Sequence, residues 1–282
     1  MQAELLLDAK ATLGEGPAWD AKTQTLYWLD ILEKRIYAGT EQIAELDDFI
    51  GCLAPCKNGN LILGKHASIV EFKPDSSQQT VLTALSEPAT NRLNDGKCDP
   101  AGRFIFGSMD INEKDPTGTV YSLDGKQVTP LLHNVTISIG LAWSPDHKTF
   151  YYIDTPTRKV KAFDYDLAAG QIANPRAVIY VPESLGWPDG MTADTDGNLW
   201  IAMWGGEQVT KWNPLTGLLL EQITVPALQT SSCVFGGKNM NELYITSARK
   251  GMSEADLKKY PLSGGLFKVE TNVTGMPTFE FG

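Results

Sequence analysis

One pattern occurs six times along the chain: a short apolar strand, a turn built from Asp, Gly, Pro, Asn or Lys, then a strongly apolar strand. The copies are EGPAWDAKTQTLYWLD, IGCLAPCKNGNLILG, NDGKCDPAGRFIFGSMD, IGLAWSPDHKTFYYID, DGMTADTDGNLWIAMW and SSCVFGGKNMNELYITS, beginning at Glu15, Ile50, Asn94, Ile139, Asp189 and Ser231. A third apolar strand follows each copy (RIYAG, SIVEF, GTVYSL, KVKAFDYD, QVTKWNP, GGLFKVE), and a more polar fourth follows the first five (QIAELDD, TVLTAL, VTPLLHN, RAVIYV, LEQITV). Alternating, β-branched and aromatic segments dominate, and almost none keeps a helical period. Four antiparallel strands repeated at this period predict an all-β fold, a six-bladed β-propeller occupying residues 1–282 as one domain.

The sixth copy lacks an obvious fourth strand. A closed repeat protein cannot leave edges free, so a terminal segment must complete it. ELLLDAK near the N-terminus is the expected partner, and the tail MPTFEF is the alternative.

Composition narrows the function classes. A formal net charge of -10 and a pI near 4.8 disfavour nucleic acid and anionic membranes as partners. The N-terminus has neither a basic n-region nor an apolar run long enough for a signal or a span, which reads as a cytoplasmic chain. The expected assembly is a monomer or small homo-oligomer. Cys52, Cys56, Cys98 and Cys233 have no paired spacing and read as buried reduced thiols. The two NVT sequons, at Asn134 and Asn272, are chance matches in such a chain.

In a propeller the first strand of each blade lines the central channel. Aligning the copies on their turn residue places Glu15, Ile50, Asn94, Ile139, Asp189 and Ser231 in one ring. Three of these are hard oxygen donors with no His or Cys among them, which favours Ca²⁺, Mg²⁺ or Mn²⁺ over tetrahedral zinc. The competing reading is a wet channel that collects polar residues without a ligand.

GEGPAWD, NRLNDGKCDPAGRFIFGSMD, SIGLAWSPDHKTFYYID, AFDYDLAAGQIANPRAV, PDGMTADTDGNLWIAMW and SSCVFGGKNMNELYITSARKGM together resemble the SMP-30/gluconolactonase/regucalcin family across nearly the whole chain. That resemblance implies a six-bladed propeller holding one divalent cation (Ca, Mn, Mg, Fe or Zn) on a Glu, an Asn and an Asp. It also implies hydrolysis of small sugar lactones such as glucono-1,5-lactone, with calcium binding described for animal members. Carried over, the ligands are Glu15 and Asp189, and the substrate contacts are Arg92 and Asn94. A further contact falls at Asn112 or Glu113, in a loop from Asp110 to Gly118 that is either a lid or a plain solvated hairpin loop.

The Asn ligand does not carry over: where the family reads SNGLxWS, this chain reads SIGLAWS, with Ile139 at the ligand position. Asn94 is then a candidate third ligand, and the cation is either shifted toward it, held more weakly with water, or lost. An apolar Ile139, with Ile50 in the same ring, alternatively shapes the pocket for a less hydroxylated lactone or ester. The expected mechanism uses Asp189 as metal ligand and general base, Glu15 as metal ligand, and Arg92 to orient sugar hydroxyls or the developing carboxylate. The second functional reading is a non-catalytic calcium-binding regulator, and a protein-contact scaffold is a third. His66, His133 and His147 fall outside the ring, so Ser231 and Ser232 have no histidine to activate them.

Overall fold

A computed structural model describes all of residues 1–282. Four separate four-stranded antiparallel sheets follow one another along the chain, beginning with the strands Gly14–Asp20, Ile50–Pro55, Asn91–Cys98 and Ser138–Trp143. The remaining strands form one eight-stranded sheet. It consists of a four-stranded meander starting at Trp187–Ala193 and a three-stranded one starting at Gln229–Gly236, which a strand from the N-terminus extends to four; the two units pair through Trp204 and Gln229. This all-β arrangement of four-stranded sheets is that of a propeller.

Burial follows strand order. All seven residues of Gly14–Asp20 are buried, whereas Glu41–Glu45, the fourth strand of that sheet, has none. The turns that the sequence marks with Asp and Gly connect these strands, and the apolar faces stack on their neighbours. Leu29 and Ile36 pack on Leu53 and Leu63 of the next sheet, and Phe104 and Phe106 pack on Cys52 and Ile62. Trp19, Trp28 and Tyr37 meet Val234, Tyr244 and Leu266 from the other end of the chain.

The N-terminal strand Glu4–Leu7 pairs antiparallel with Leu266–Glu270 and completes the last sheet, as the sequence leads one to expect. The C-terminal tail has a different task. Gly275 bridges to Asp194 and Phe281 to Cys56, so the tail crosses between the sheets that begin at Trp187 and Ile50. Met276, Pro277, Thr278 and Phe279 thereby line a cavity beside Ala18, Ala54, Lys97, Ala142 and Ala193 on the innermost strands.

The only α-helix, Glu254–Lys259, is short and starts in a capping box between Ser253 and Asp256. No helix is long and apolar enough to cross a membrane. All four cysteines are buried and unpaired.

Candidate functional site

Each innermost strand breaks register near its start: between Glu15 and Ala18, Ile50 and Cys52, Leu93 and Gly96, Ile139 and Leu141, Pro188 and Met191, and Thr230 and Ser232. A bulge bends a strand and re-aims the side chain beside it, so this recurring irregularity falls on the ring positions themselves. Gly16 and Gly140, with φ of +55° and +62°, accommodate two of the bulges. At Gly140 a Cβ would also lie 2.9 Å from the Asp189 carbonyl oxygen, so only glycine lets these two strands approach so closely.

Four of the six ring residues, Glu15, Asn94, Ile139 and Asp189, line one cavity of about 260 Å³. Arg92, Glu113, Lys250, Trp187 and Trp204 share it. Ile50 instead lies fully buried among Leu53, Leu63 and Val70. The Ser231 hydroxyl donates to the Gly14 carbonyl at 2.5 Å and is used structurally. Asn112 does not line the cavity; its amide donates to Asp110 Oδ1 at 3.3 Å. None of the three histidines is present in the wall.

The cavity is acidic at its base. Burial pushes the Glu15 carboxyl up to about 8; the Asp95 charge adds to this, while the Gly16 N–H (2.9 Å), Arg92 and Lys97 oppose it. Burial also holds Asp189 well above the usual carboxylate range, reinforced by Glu15, Asp95 and Glu113 and opposed by Lys250. Two buried carboxyls, each pushed upward, are poorly compensated by the protein alone.

That excess of negative charge and the all-oxygen donors fit a hard divalent cation held by Glu15 and Asp189. The protein's third ligand is less well provided. Ile139 offers no lone pair, and Asn94 Oδ1 already accepts a 2.6 Å hydrogen bond from Arg92 Nη1, while its Nδ2 donates to the Ser138 carbonyl at 2.8 Å. No group of three or more His, Cys, Asp and Glu side chains is arranged to hold a metal.

Several participants escape the repeat alignment. Asp95, next to the ring residue Asn94, turns away from the cavity and accepts from Gly96 N and Gly140 N, both at 2.8 Å, tying the third inner strand to the fourth. Lys97 donates to the Met191 carbonyl. Lys250 follows the strand Glu242–Ala248 and pairs with Glu113 across the cavity mouth. Trp187 stacks under Arg158, whose guanidinium carbon lies 3.6 Å from the ring centroid. Lys250 lies in the motif SARKGM, but only the folded chain shows the carboxylate it faces.

Comparisons with known proteins place the chain in a family. The family model described as SMP-30/Gluconolactonase/LRE-like region matches residues 13–249. Regucalcin of Gallus gallus is 38% identical over 284 residues, spanning 95% of this chain and 94% of that protein. A Bacillus subtilis (strain 168) protein provisionally named sugar lactone lactonase YvrE is 35% identical over 289 residues, spanning 100% and 99%. Among solved structures, the calcium-binding protein regucalcin of Agrobacterium tumefaciens strain C58 superposes with a TM-score of 0.95 at 24% identity, covering 100% of this chain and 97% of that one, a likeness of fold.

Proposed function

Because the chain belongs to the SMP-30/gluconolactonase/LRE-like family, we propose that it is a divalent-metal-dependent hydrolase of sugar lactones, built as a single six-bladed propeller in which the eight-stranded sheet counts as two blades. The observation that carries this reading is the convergence of Glu15, Arg92, Asn94, Glu113 and Asp189, from strands and a loop far apart in sequence, on one cavity.

In this reading Glu15 and Asp189 would hold the cation, with Asn94 as a third ligand through the lone pair that Arg92 does not engage. A cation bound there supplies polarisation of the lactone carbonyl and a lowered pKa for bound water. Asp189, which a bound cation would keep ionised against the upward push of burial, is the candidate general base for the attacking water. Water oxygen adds to the carbonyl carbon, the ring ester C–O bond breaks, and the ring oxygen takes up a proton to become the hydroxyl of the product hydroxy acid. Arg92, fixed by the Leu93 carbonyl (3.0 Å) and by Asn94, is placed to orient sugar hydroxyls or the carboxylate that forms. Of the two loop candidates, Glu113 borders this cavity and Asn112 does not.

A pH-indicator assay on gluconolactone and a panel of lactones, with and without added Ca²⁺, Mn²⁺ or Mg²⁺, tests the proposal. Metal-dependent acid release that disappears in Asp189→Ala is expected. No turnover of any lactone with any metal would leave the second reading, a calcium-binding protein without catalysis, which Ile139 at a ligand position favours.

A further inference from the structure

The mouth of the cavity carries a charge arrangement that metal binding and ester cleavage do not use. Lys250 and Glu113 form an ion pair between segments 137 residues apart, with side chains 32% and 38% exposed. The two partners are held very differently. The Lys250 amide donates to the Thr12 carbonyl at 2.9 Å, and its neighbour Arg249 is tied through its amide to Ala11 and through Nε to Ser263. The ammonium is therefore presented by a backbone anchored to the segment preceding the first inner strand.

Glu113 lies in the exposed stretch 111–117, held by Asp110 through the amides of Glu113, Lys114 and Asp115. Its own φ is +61°, in the left-handed region that costs a non-glycine residue free energy. Glu113 is also the leading opposite charge acting on Arg92. Two cations on fixed frames thus face one carboxylate on an exposed loop. A carboxylate brought in by a ligand can make the same contact with Lys250.

We infer that Lys250 is a specificity residue, that Glu113 is a placeholder for a ligand anion, and that the preferred lactone carries a carboxylate of its own, as an aldaric or uronic lactone does. The inference rests on the lactonase reading for its word lactone, but not for the anion. Glu113 turns outward as the ligand carboxylate replaces it on Lys250, while Arg92 stays with the ring.

Calorimetry in calcium-containing buffer compares glucarate, with a carboxylate at each end, against gluconate, with one, and against 6-phosphogluconate. Glucarate is expected to bind about tenfold more tightly than gluconate, the size of one partly solvated charge-assisted hydrogen bond. That gap should close in Lys250→Met and persist in Lys250→Arg, and Glu113→Gln should tighten glucarate further. The ratio of kcat/KM for glucarolactone over gluconolactone should fall with Lys250→Met in parallel. Equal binding of the two acids, a gap that survives Lys250→Met, or weaker glucarate binding in Glu113→Gln overturns the inference, and tighter binding of 6-phosphogluconate than glucarate overturns the choice of carboxylate. A Lys250-dependent gap in a protein that hydrolyses no lactone would uphold the anion site while rejecting the lactonase reading.

Discussion

Arg92 Nη1 donates a 2.6 Å hydrogen bond to Asn94 Oδ1 from two positions earlier on the same strand. Two residues apart on one strand, both side chains share a face and line the same cavity. With one lone pair of its amide oxygen engaged by a buried guanidinium, Asn94 could ligate a cation only beside that positive charge. In the proposed metal site Glu15 and Asp189 are the two anionic donors, with Ile139 in the wall beside them.

Ile139→Asn is expected to strengthen binding of a divalent cation about 10-fold to 100-fold, the usual weight of one supporting ligand interaction. The substitution also removes an apolar side chain that packs among Met191 and Ile153, so the metal-free variant should lose about 1–3 kcal/mol of stability. Metal titration followed by heat, beside thermal melts with and without metal, reads both effects. Unchanged affinity in a folded variant would mean that position 139 does not reach the ion.

Glu15 makes metal-free stability fall with rising pH. Its carboxyl is pushed from 4.5 to about 8 by burial and by Asp95, so between those values the folded chain holds more protons than the unfolded one. The stabilisation is complete below the lower value and is lost as pH climbs through the upper. Metal binding should release protons and grow tighter across the same window. Melting temperatures of chelator-treated protein at pH 5 and pH 8 check the slope, which Glu15→Gln should flatten.

The repeat made the all-β architecture and the residues of the ring legible, because each inner strand restates the same alternation of apolar core and turn. Glu15, Asn94 and Asp189 were readable for the same reason, since equivalent places in equivalent strands face one axis. Ile50 and Ser231 occupy the same column and nonetheless serve packing and a hydrogen bond to Gly14. Column position sets where a strand begins, while the local bulge sets where its side chain goes. The Lys250 and Glu113 pair was not readable, because it is made by two loops whose closeness depends on the whole circuit of the chain. The commitment of Asn94 to Arg92 is a rotamer choice that no spacing encodes.

Asp95→Ala should destabilise the protein by about 1–3 kcal/mol, because it strips the acceptor from two buried backbone donors, Gly96 N and Gly140 N. Relief of repulsion with Glu15 and Asp189 works in the opposite direction and is the smaller effect, since burial dominates the upward shift of both. Denaturant unfolding measures the net loss. The acid–base midpoint of Glu15, followed by NMR, should move downward in the same variant, separating the electrostatic consequence from the structural one.

Removing Met1–Leu7 should open the molecule at the last sheet. That segment pairs Glu4 with Lys268 and Leu5 with Phe267, and it exchanges backbone hydrogen bonds between Ala3, Met1 and Thr224. Each lost hydrogen bond costs about 1 kcal/mol net, and Leu266–Glu270 becomes an unpaired edge able to recruit another chain. A lower melting temperature together with concentration-dependent association in size-exclusion chromatography is expected. Glu15 and Asp189 lie on the innermost strands Gly14–Asp20 and Trp187–Ala193, neither of which pairs with Glu4–Leu7, so metal affinity measured well below the melting transition should change much less than stability does. A truncated chain that melts like the full one would show that the tail crossing from Asp194 to Cys56 is enough to hold the circuit closed.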